Sequence, residues 1–381
     1  MSLFFIQAST LTNIANAIRS ATGTTGPIAV SSFASAVANV PSGGGSGTNL
    51  SSADRYTLYN YNSDSYSNVY ITPPDTDCSR IGDIKTAFGN AGASINSVFF
   101  AELLRINDGP FMTDNYIQYI EAPNCNTIGE SAFANCYSLT SVSFPACTYI
   151  ESSAFQNCSA LISASFSVCT SIGYYAFCGC SALTSTSFPA CTSIGGGAFS
   201  DCYSLTSVSF SVCTSIGEYA FYSCSALTSI SFPACANIRS YAFEYCSTLT
   251  SVSFPACTSV EEYAFANCSE LTSAWFKAEA GFSDNVFYSI LTSDRTDNFE
   301  LYLSGSSVGY ATSNLFGSYN DLMKVGQAAS SSANGSEAPS GTSDIMPIKN
   351  LSIFVPASLV SDFQENWGEG YFSANIFAWP T

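Results

Sequence analysis

The fold is decided by a stretch that reads Leu139-x-x-Val142-x-Phe144-x-x-Cys147 and continues as Ile150-x-x-x-Ala154-Phe155-x-x-Cys158-x-x-Leu161. Its phenylalanine, preceded by alanine, recurs every 22 residues without a slip, at Phe133, Phe155, Phe177, Phe199, Phe221, Phe243 and Phe265. A leucine and an aliphatic residue keep the same step, from Leu139 to Leu271 and from Ile128 to Val260. Constant spacing of this kind is typical of a solenoid, in which each unit buries its apolar side chains against its neighbours.

The first half of the unit predicts a strand. Val142 and Phe144 are two residues apart and share one face, so Ser141 and Ser143 point the other way. We therefore predict an α/β repeat solenoid of leucine-rich-repeat type, with one parallel strand per 22-residue repeat. The Ala-Phe half is too short for a long helix and is expected to form a helical turn on the opposite face.

The cysteines follow the same grid. Fourteen of the sixteen lie 11 residues apart from Cys125 to Cys268, and only Cys78 and Cys178 lie off it. A metal site favours local C-x-x-C clusters, and a disulfide framework needs an oxidising compartment. The spacing favours buried thiols that act as small apolar side chains. Cys178 is either exposed and reactive or an incidental substitution.

Composition excludes several classes of function. The formal net charge of −18 disfavours binding to nucleic acid and to anionic membranes. The chain contains no histidine, the commonest general base and metal ligand. The first residues show no secretory signal, and no apolar run is long enough for a membrane span. We therefore expect cytoplasmic synthesis and no membrane insertion.

The repeat resembles the BspA-like group of leucine-rich repeats, whose pattern I-x-x-x-A-F-x-x-C-x-x-L-x-x-L-x-L matches unit after unit over about residues 117–276. The resemblance implies a parallel solenoid used for adhesion or recognition. Secreted members of the group carry signal peptides and surface anchors, and neither is evident in this sequence.

The ends depart from the repeat. Residues 50–116 are expected to cap the N-terminal end, 117–287 to form the repeats and 288–381 to form a C-terminal cap. Within that cap we predict a strand at Phe299, Leu301 and Leu303, a second at Leu351, Ile353 and Val355, a short helix around 357–366 and a mobile loop at 325–345.

The first 41 residues predict a short helical hairpin, followed by a Gly/Ser linker at 42–49. Its apolar stripes contain the proposed docking residues Leu11, Ile14, Ile18, Phe33 and Val37. The segment resembles the N-terminus of phage and prophage tail proteins from Gram-positive hosts. That resemblance implies a virion tail location, with tail or baseplate proteins as partners at this end and a host cell-surface glycan or protein as the partner of the solenoid.

No pattern indicates catalysis or a cofactor. Gly195, Gly196 and Gly197 are a variant of the repeat rather than a phosphate loop. Glu261 and Glu262 are adjacent on a turn, where both are expected to face solvent. A serine nucleophile would lack a histidine base. We expect no enzyme activity, no cofactor and no metal.

Candidate binding residues lie where the repeats differ from one another. Tyrosine occupies one position of the Ala-Phe half, at Tyr175, Tyr219, Tyr241 and Tyr263, and a second position varies through Tyr222 and Glu244. Two rows of outward serines follow the strand, and Trp275 ends one of them. The tyrosines suit sugar stacking, protein contact or simple packing. Trp275 suits either binding or closure of the sheet.

These observations predict a non-enzymatic recognition protein, with host attachment in a phage or prophage tail as the leading role. A cellular adhesin or interaction scaffold is one alternative. A glycan- or ice-binding protein with a Ser/Thr face is another. The sequence leaves homo-oligomerisation open.

Overall fold

A computed structural model describes residues 103–291, 295–309, 315–316, 348, 350–367 and 375–379, together with the backbone of three strands nearer the N-terminus at 57–59, 69–72 and 97–100. The predicted docking segment, the linker and the predicted mobile loop at 325–345 lie outside these residues. So do Leu11, Ile14, Ile18, Phe33, Val37 and Cys78.

The strands and helices come in this order: β1 Thr57–Tyr59, β2 Val69–Thr72, β3 Ser97–Phe100, β4 Arg105–Ile106, β5 Tyr119–Glu121, β6 Thr127–Ile128, β7 Ser141–Ser143, β8 Tyr149–Ile150, β9 Ser163–Ser165, β10 Ser171–Ile172, β11 Ser185–Ser187, β12 Ser193–Ile194, β13 Ser207–Ser209, β14 Ser215–Ile216, β15 Ser229–Ser231, β16 Asn237–Ile238, β17 Ser251–Phe254, β18 Ser259–Val260, β19 Ser273–Lys277, β20 Gly281–Phe282, β21 Phe299–Ser304, β22 Leu351–Val355, a 3₁₀ helix Ala357–Leu359, α1 Val360–Asn366 and β23 Ile376–Ala378.

Each repeat contains two strands, which corrects the prediction of one. The longer strand, such as β9, is followed by a turn and then by a two-residue strand, such as β10. Each two-residue strand pairs in parallel with its copies one repeat away, as in Ser171 with Ser193 and Ile172 with Ile194. A two-residue strand is too short to produce an alternating hydrophobic pattern, so it could not be predicted from the sequence.

The strands form three sheets. Short strands build a nine-stranded parallel sheet from β4 to β20, and the longer ones build a second nine-stranded sheet from β9 to β23. A five-stranded sheet, β1-β2-β3-β5-β7, precedes the second one, and only its β1–β2 pair is antiparallel. The Ile162 N–H donates to the Thr140 carbonyl (3.1 Å) and continues the stack between β7 and β9. The sheets therefore run through the predicted boundaries at 116 and 287.

The Ala-Phe half is a series of turns and not the expected helical turn. Its N–H groups bond alternately within the turn and to the next repeat: Cys136 N–H donates to the Phe133 carbonyl (3.1 Å), and Phe133 N–H donates to the Ala154 carbonyl (2.7 Å). Two residues per repeat adopt positive φ, such as Ser131 (53°) and Asn135 (60°). Among the described residues, only α1 is an α-helix, so the architecture is a parallel β-solenoid rather than α/β.

The core consists of two stacked phenylalanine ladders. In the first, ring centroids lie 5.0 Å apart for Phe111–Phe133 and 5.2 Å apart for Phe177–Phe199. The second runs from Phe144 to Phe276, and its rings meet those of the first at a tilt or edge to face. These distances are close to the spacing of about 4.8 Å between strands. Each phenylalanine thus stacks on its own copy in the next repeat.

The grid cysteines are buried, free thiols, as the sequence predicted. One series donates to a carbonyl two residues ahead, as Cys147 does to Tyr149 (3.3 Å). The other donates to a phenylalanine carbonyl of the previous repeat, as Cys158 does to Phe133 (3.1 Å). Cys178 is half-buried, and burial raises its pKa to about 11, which opposes the reactivity considered for it.

The strands and helix predicted near the C-terminus are confirmed. β21 and β22 alternate between buried and half-buried residues, and α1 follows Pro356 and the 3₁₀ helix. Trp367, directly after α1, is buried and donates its indole N–H to the Gly309 carbonyl (3.1 Å).

Candidate binding surfaces

The outward side of the long strands presents two rows of serines, which we call the serine face. One row runs from Ser141 to Ser273 and the other from Ser143 to Ser253. From Ser163 to Ser253 these serines are exposed, and their hydroxyls have no hydrogen-bond partner among the described residues. In-register pairing spaces the hydroxyls by about 4.8 Å between strands and about 7 Å along a strand. From Ser163 to Ser253 the serine face is therefore a regular lattice of free hydroxyl groups.

Trp275 ends this lattice. It occupies the register position of Ser253 on the next strand, and its indole stacks on Tyr302 with ring centroids 3.9 Å apart and planes within 5°. The opposite face of the indole is turned toward the serine row, where a serine side chain is too small to cover it. Trp275 is 39% exposed, and its indole N–H has no hydrogen-bond partner among the described residues. The indole ring therefore stands out from the row of small serine side chains beside it.

Residues outside the 22-residue repeat hold the Trp275 indole and its partner Tyr302 in place. Phe354 stacks on Tyr302 at 5.0 Å, and Trp379 meets Trp275 edge to face at 5.6 Å. The indole N–H of Trp379 donates to the Leu303 carbonyl (3.2 Å). The Tyr302 hydroxyl donates to Glu300 (2.6 Å), and this bond raises the pKa of Tyr302 to about 12. The phenol is thus held in place and stays protonated at neutral pH.

A tyrosine–glutamate pair also stands at the other end of the serine face. The Tyr119 hydroxyl donates to the Glu121 carboxylate (2.8 Å), and the two residues pair in register with Ser141 and Ser143. Burial raises the pKa of both groups. The free hydroxyl lattice is therefore bounded at each end by an ordered Tyr–Glu contact.

Three of the predicted tyrosines form a second surface. Tyr219, Tyr241 and Tyr263 stack in parallel, with ring centroids 4.7 Å and 5.1 Å apart. Tyr175 does not join them because Gly197 stands at this position in the intervening repeat. The ring of Tyr175 leans over Gly197, so that a Cβ there would lie 2.4 Å from it.

These four tyrosines share an unusual backbone conformation. Tyr175, Tyr219, Tyr241 and Tyr263 all adopt positive φ, between 55° and 60°, and Gly197 adopts 62°. A non-glycine residue in this region costs roughly 1–2 kcal/mol. An N–H bond to the next repeat, such as Tyr241 to the Glu262 carbonyl (3.0 Å), helps to offset that cost. The rings of Tyr219, Tyr241 and Tyr263 are half-buried, and that of Tyr175 is exposed.

The sequence singled out Trp275 and the tyrosine row but missed the partners of Trp275. Tyr302 and Phe354 follow at separations of 27 and 52 residues, which are not multiples of 22. Only the alternation of Phe299, Leu301 and Leu303, which leaves Tyr302 facing outward, could have placed the first of them.

Two further properties bear on function. Within the part of the chain that the structure describes, no three His, Cys, Asp or Glu side chains come together as a metal site. No helix there has the length and apolar character needed to cross a bilayer.

The solenoid is similar to several solved structures. A leucine-rich cell surface protein of Faecalibacterium prausnitzii A2-165 is 18% identical, with 87% of this chain and 95% of that chain covered and a TM-score of 0.40. The leucine-rich repeat protein of T. pallidum is 23% identical over 47% of this chain and 78% of that chain, with a TM-score of 0.35. The pneumococcal vaccine antigen PcpA is 13% identical over 76% of this chain and 80% of that chain, with a TM-score of 0.30.

No curated protein sequence matches the chain. The model of one family does, over residues 79–206 and 170–293, which together make up more than half of the chain. This range contains β4 to β20, which build the whole of the first nine-stranded sheet and part of the second, together with the phenylalanine ladders and the buried thiols. The chain therefore belongs to the family described as the BspA type leucine-rich repeat region.

Proposed function

We propose that the chain is a non-enzymatic recognition protein of the adhesin kind, and that it binds a neutral carbohydrate chain of a cell surface along the serine face, with Trp275 as the principal contact. The observation that carries the proposal is the exposed indole of Trp275 at the end of the lattice of serine hydroxyls. An exposed indole face offers an apolar platform to the C–H face of a sugar ring. The free N–H and the serine hydroxyls beside it can bond to sugar hydroxyls.

Charge selects among carbohydrates. The net charge of −18 and the Glu300 carboxylate next to Tyr302 disfavour sulfated or sialylated chains through repulsion. A neutral glycan is not repelled by these charges, and it can extend across several strands of the serine face.

The test is a glycan array probed with the wild-type chain, with Trp275→Ala and with Tyr137→Ala. Tyr137 is exposed but lies outside both candidate surfaces, so it controls for loss of an aromatic side chain. We expect Trp275→Ala to weaken binding to neutral glycans at least about tenfold, which is the typical loss for an aromatic contact at the centre of an interface. Equal binding by Trp275→Ala and the wild type would refute the proposal.

A virion role is a second candidate and rests on the sequence of residues 1–41. Under it, the N-terminal segment docks to a phage or prophage tail through Leu11, Ile14, Ile18, Phe33 and Val37, and the solenoid contacts the host. The family match begins at residue 79 and does not extend to this segment. Removal of residues 1–47 is expected to abolish incorporation into particles while glycan binding persists. Particles that still take up the truncated chain would exclude tail docking through this segment.

The hydroxyl lattice also favours ice binding as a third candidate, since regular hydroxyl spacing on a flat face can order water. Trp275 plays no part in that function. Thermal hysteresis in the wild type and in Trp275→Ala alike would support it, and absence of hysteresis would remove it.

A further inference from the structure

We propose that a second surface, formed by Tyr219, Tyr222, Tyr241, Tyr245 and Glu244, binds lysine or arginine side chains of a basic polypeptide segment. We call it the tyrosine–glutamate surface. It lies on the turns of the Ala-Phe half and does not depend on the carbohydrate site at Trp275.

Aromatic rings in two orientations make up most of this surface. Tyr219 and Tyr241 stack in parallel at 4.7 Å. Tyr222 meets Tyr219 edge to face at 5.6 Å, and Tyr245 meets Tyr222 edge to face at 5.6 Å. Tyr245 is 46% exposed. Tyr222 thus stands across the Tyr219–Tyr241 stack, and Tyr245 stands across Tyr222, so the surface presents rings in more than one orientation. A ring face is what a cation contacts.

Glu244 supplies the negative charge among these rings. It is half-buried, and its carboxylate accepts a hydrogen bond from the Asn267 side-chain amide (3.2 Å). Burial raises the pKa of Glu244. Among the described residues no lysine or arginine forms an ion pair with it.

The surrounding charges are acidic as well. Burial raises the pKa of Tyr219 and Tyr241, and nearby carboxylates raise it further: the exposed Glu218 acts on both tyrosines and the exposed Glu262 on Tyr241. The one arginine nearby, Arg239, is held by Glu261 (2.8 Å). In the described part of the chain, this surface thus combines aromatic faces and carboxylates without a neutralising cation.

The chemistry selects the partner. A lysine or arginine head can contact ring faces and the Glu244 carboxylate at the same time. A metal ion would need more oxygen ligands than one half-buried carboxylate provides. A neutral sugar would leave the charge of Glu244 unpaired. Several basic residues in one segment can also engage Glu218 and Glu262 along the repeat axis.

The experiment measures binding of fluorescent hexa-arginine and hexa-lysine peptides to the full chain by anisotropy. We expect both peptides to bind and added salt to weaken the binding, because exposed charges contribute. Glu244→Gln and Tyr222→Leu should each weaken binding about five- to tenfold, from the loss of a charge-assisted bond and of a ring face. Trp275→Ala should leave it unchanged, which keeps this test separate from that of the carbohydrate site.

Two matched variants decide the outcome. Glu130→Gln removes the same charge at an exposed residue elsewhere, and Tyr137→Leu removes an exposed ring elsewhere. If Glu130→Gln weakens binding as much as Glu244→Gln does, the net charge of the chain alone accounts for peptide binding. The tyrosine–glutamate surface is then refuted as the binding site. If spermine at equal charge concentration displaces the peptides completely, the surface binds small polyamines as well as it binds polypeptides. That result would refute a polypeptide as the specific partner. Circular dichroism of each variant excludes loss of fold as the cause.

Discussion

The buried thiols illustrate how one residue type serves every turn of this solenoid. Each fills a small apolar space and donates S–H to a backbone carbonyl; the Phe133 carbonyl, for example, accepts both from Cys136 N–H and from Cys158. Alanine would leave that second bond unmade, and serine would bury a more strongly hydrated group. Cysteine fits both requirements, provided that the thiol stays protonated.

Stability is therefore expected to fall at alkaline pH. Burial raises the pKa of Cys125, Cys169 and Cys213 to about 11, against an ordinary value of 9.0. Because the folded state keeps these protons to higher pH than the unfolded state, the stabilisation is present below about pH 9 and is lost above it, by up to about 1.4 kcal/mol per pH unit for each thiol. Urea unfolding under reducing conditions, at neutral pH and near pH 10, measures the loss. Cys169→Ala should make it smaller, and an unfolding midpoint that does not move would contradict this explanation.

At the scale of secondary-structure elements, the sequence predicted the strands and the helix whose apolar residues follow a full hydrophobic period. The long strands followed from Val142 and Phe144, and β21, β22 and α1 from similar patterns. The two-residue strands carried no period. The Ala-Phe turns were mistaken for helical turns because tyrosine, serine and asparagine, and seldom glycine, occupy their positive-φ positions. Trp275 was identified because it interrupts a serine row, whereas Tyr302 and Phe354 fall outside the repeat.

A glycine at the C-terminal end tests how closely the elements approach there. Gly309 N–H donates to the Ala278 carbonyl (2.7 Å), and a Cβ at Gly309 would lie 2.1 Å from the Ala280 carbonyl oxygen. Gly309→Ala should therefore reduce the free energy of unfolding by about 1–3 kcal/mol. Gly281→Ala is the control, since the nearest atom to its Cβ would be 3.7 Å away. Similar denaturation midpoints for the two variants would show that the approach is less tight than described.

At the scale of the whole molecule, each repeat contacts mainly its neighbours, in a register that shifts by 22 residues. The stack thus resembles a one-dimensional array, whose stability is a sum over repeats and interfaces. Every phenylalanine, thiol and threonine ladder depends on that register, as when Thr192 donates its hydroxyl to the Thr170 carbonyl (3.1 Å). A carbohydrate chain lying along the serine face would follow the same axis.

Deleting one whole repeat should preserve the fold. Removal of residues 203–224 joins Cys202 to Ser225 in phase, so all ladders close again. Removal of residues 203–213 keeps the cysteine grid but places a turn where a strand belongs. We expect the first variant to unfold cooperatively with a slightly lower stability, and the second to lose its β-sheet circular dichroism signal. Folding of both variants would mean that the 11-residue grid, and not the 22-residue register, governs assembly.

The central claim, that Trp275 binds carbohydrate, can be tested by the indole N–H resonances of the ¹⁵N-labelled protein. The chain has three tryptophans. The indole N–H groups of Trp367 and Trp379 are bonded to carbonyls, and that of Trp275 is free among the described residues. Titration with a neutral glycan selected on the array should shift the Trp275 resonance most, that of Trp379 slightly and that of Trp367 not at all. A titration that leaves the Trp275 resonance in place while the glycan binds would contradict the assignment of the site.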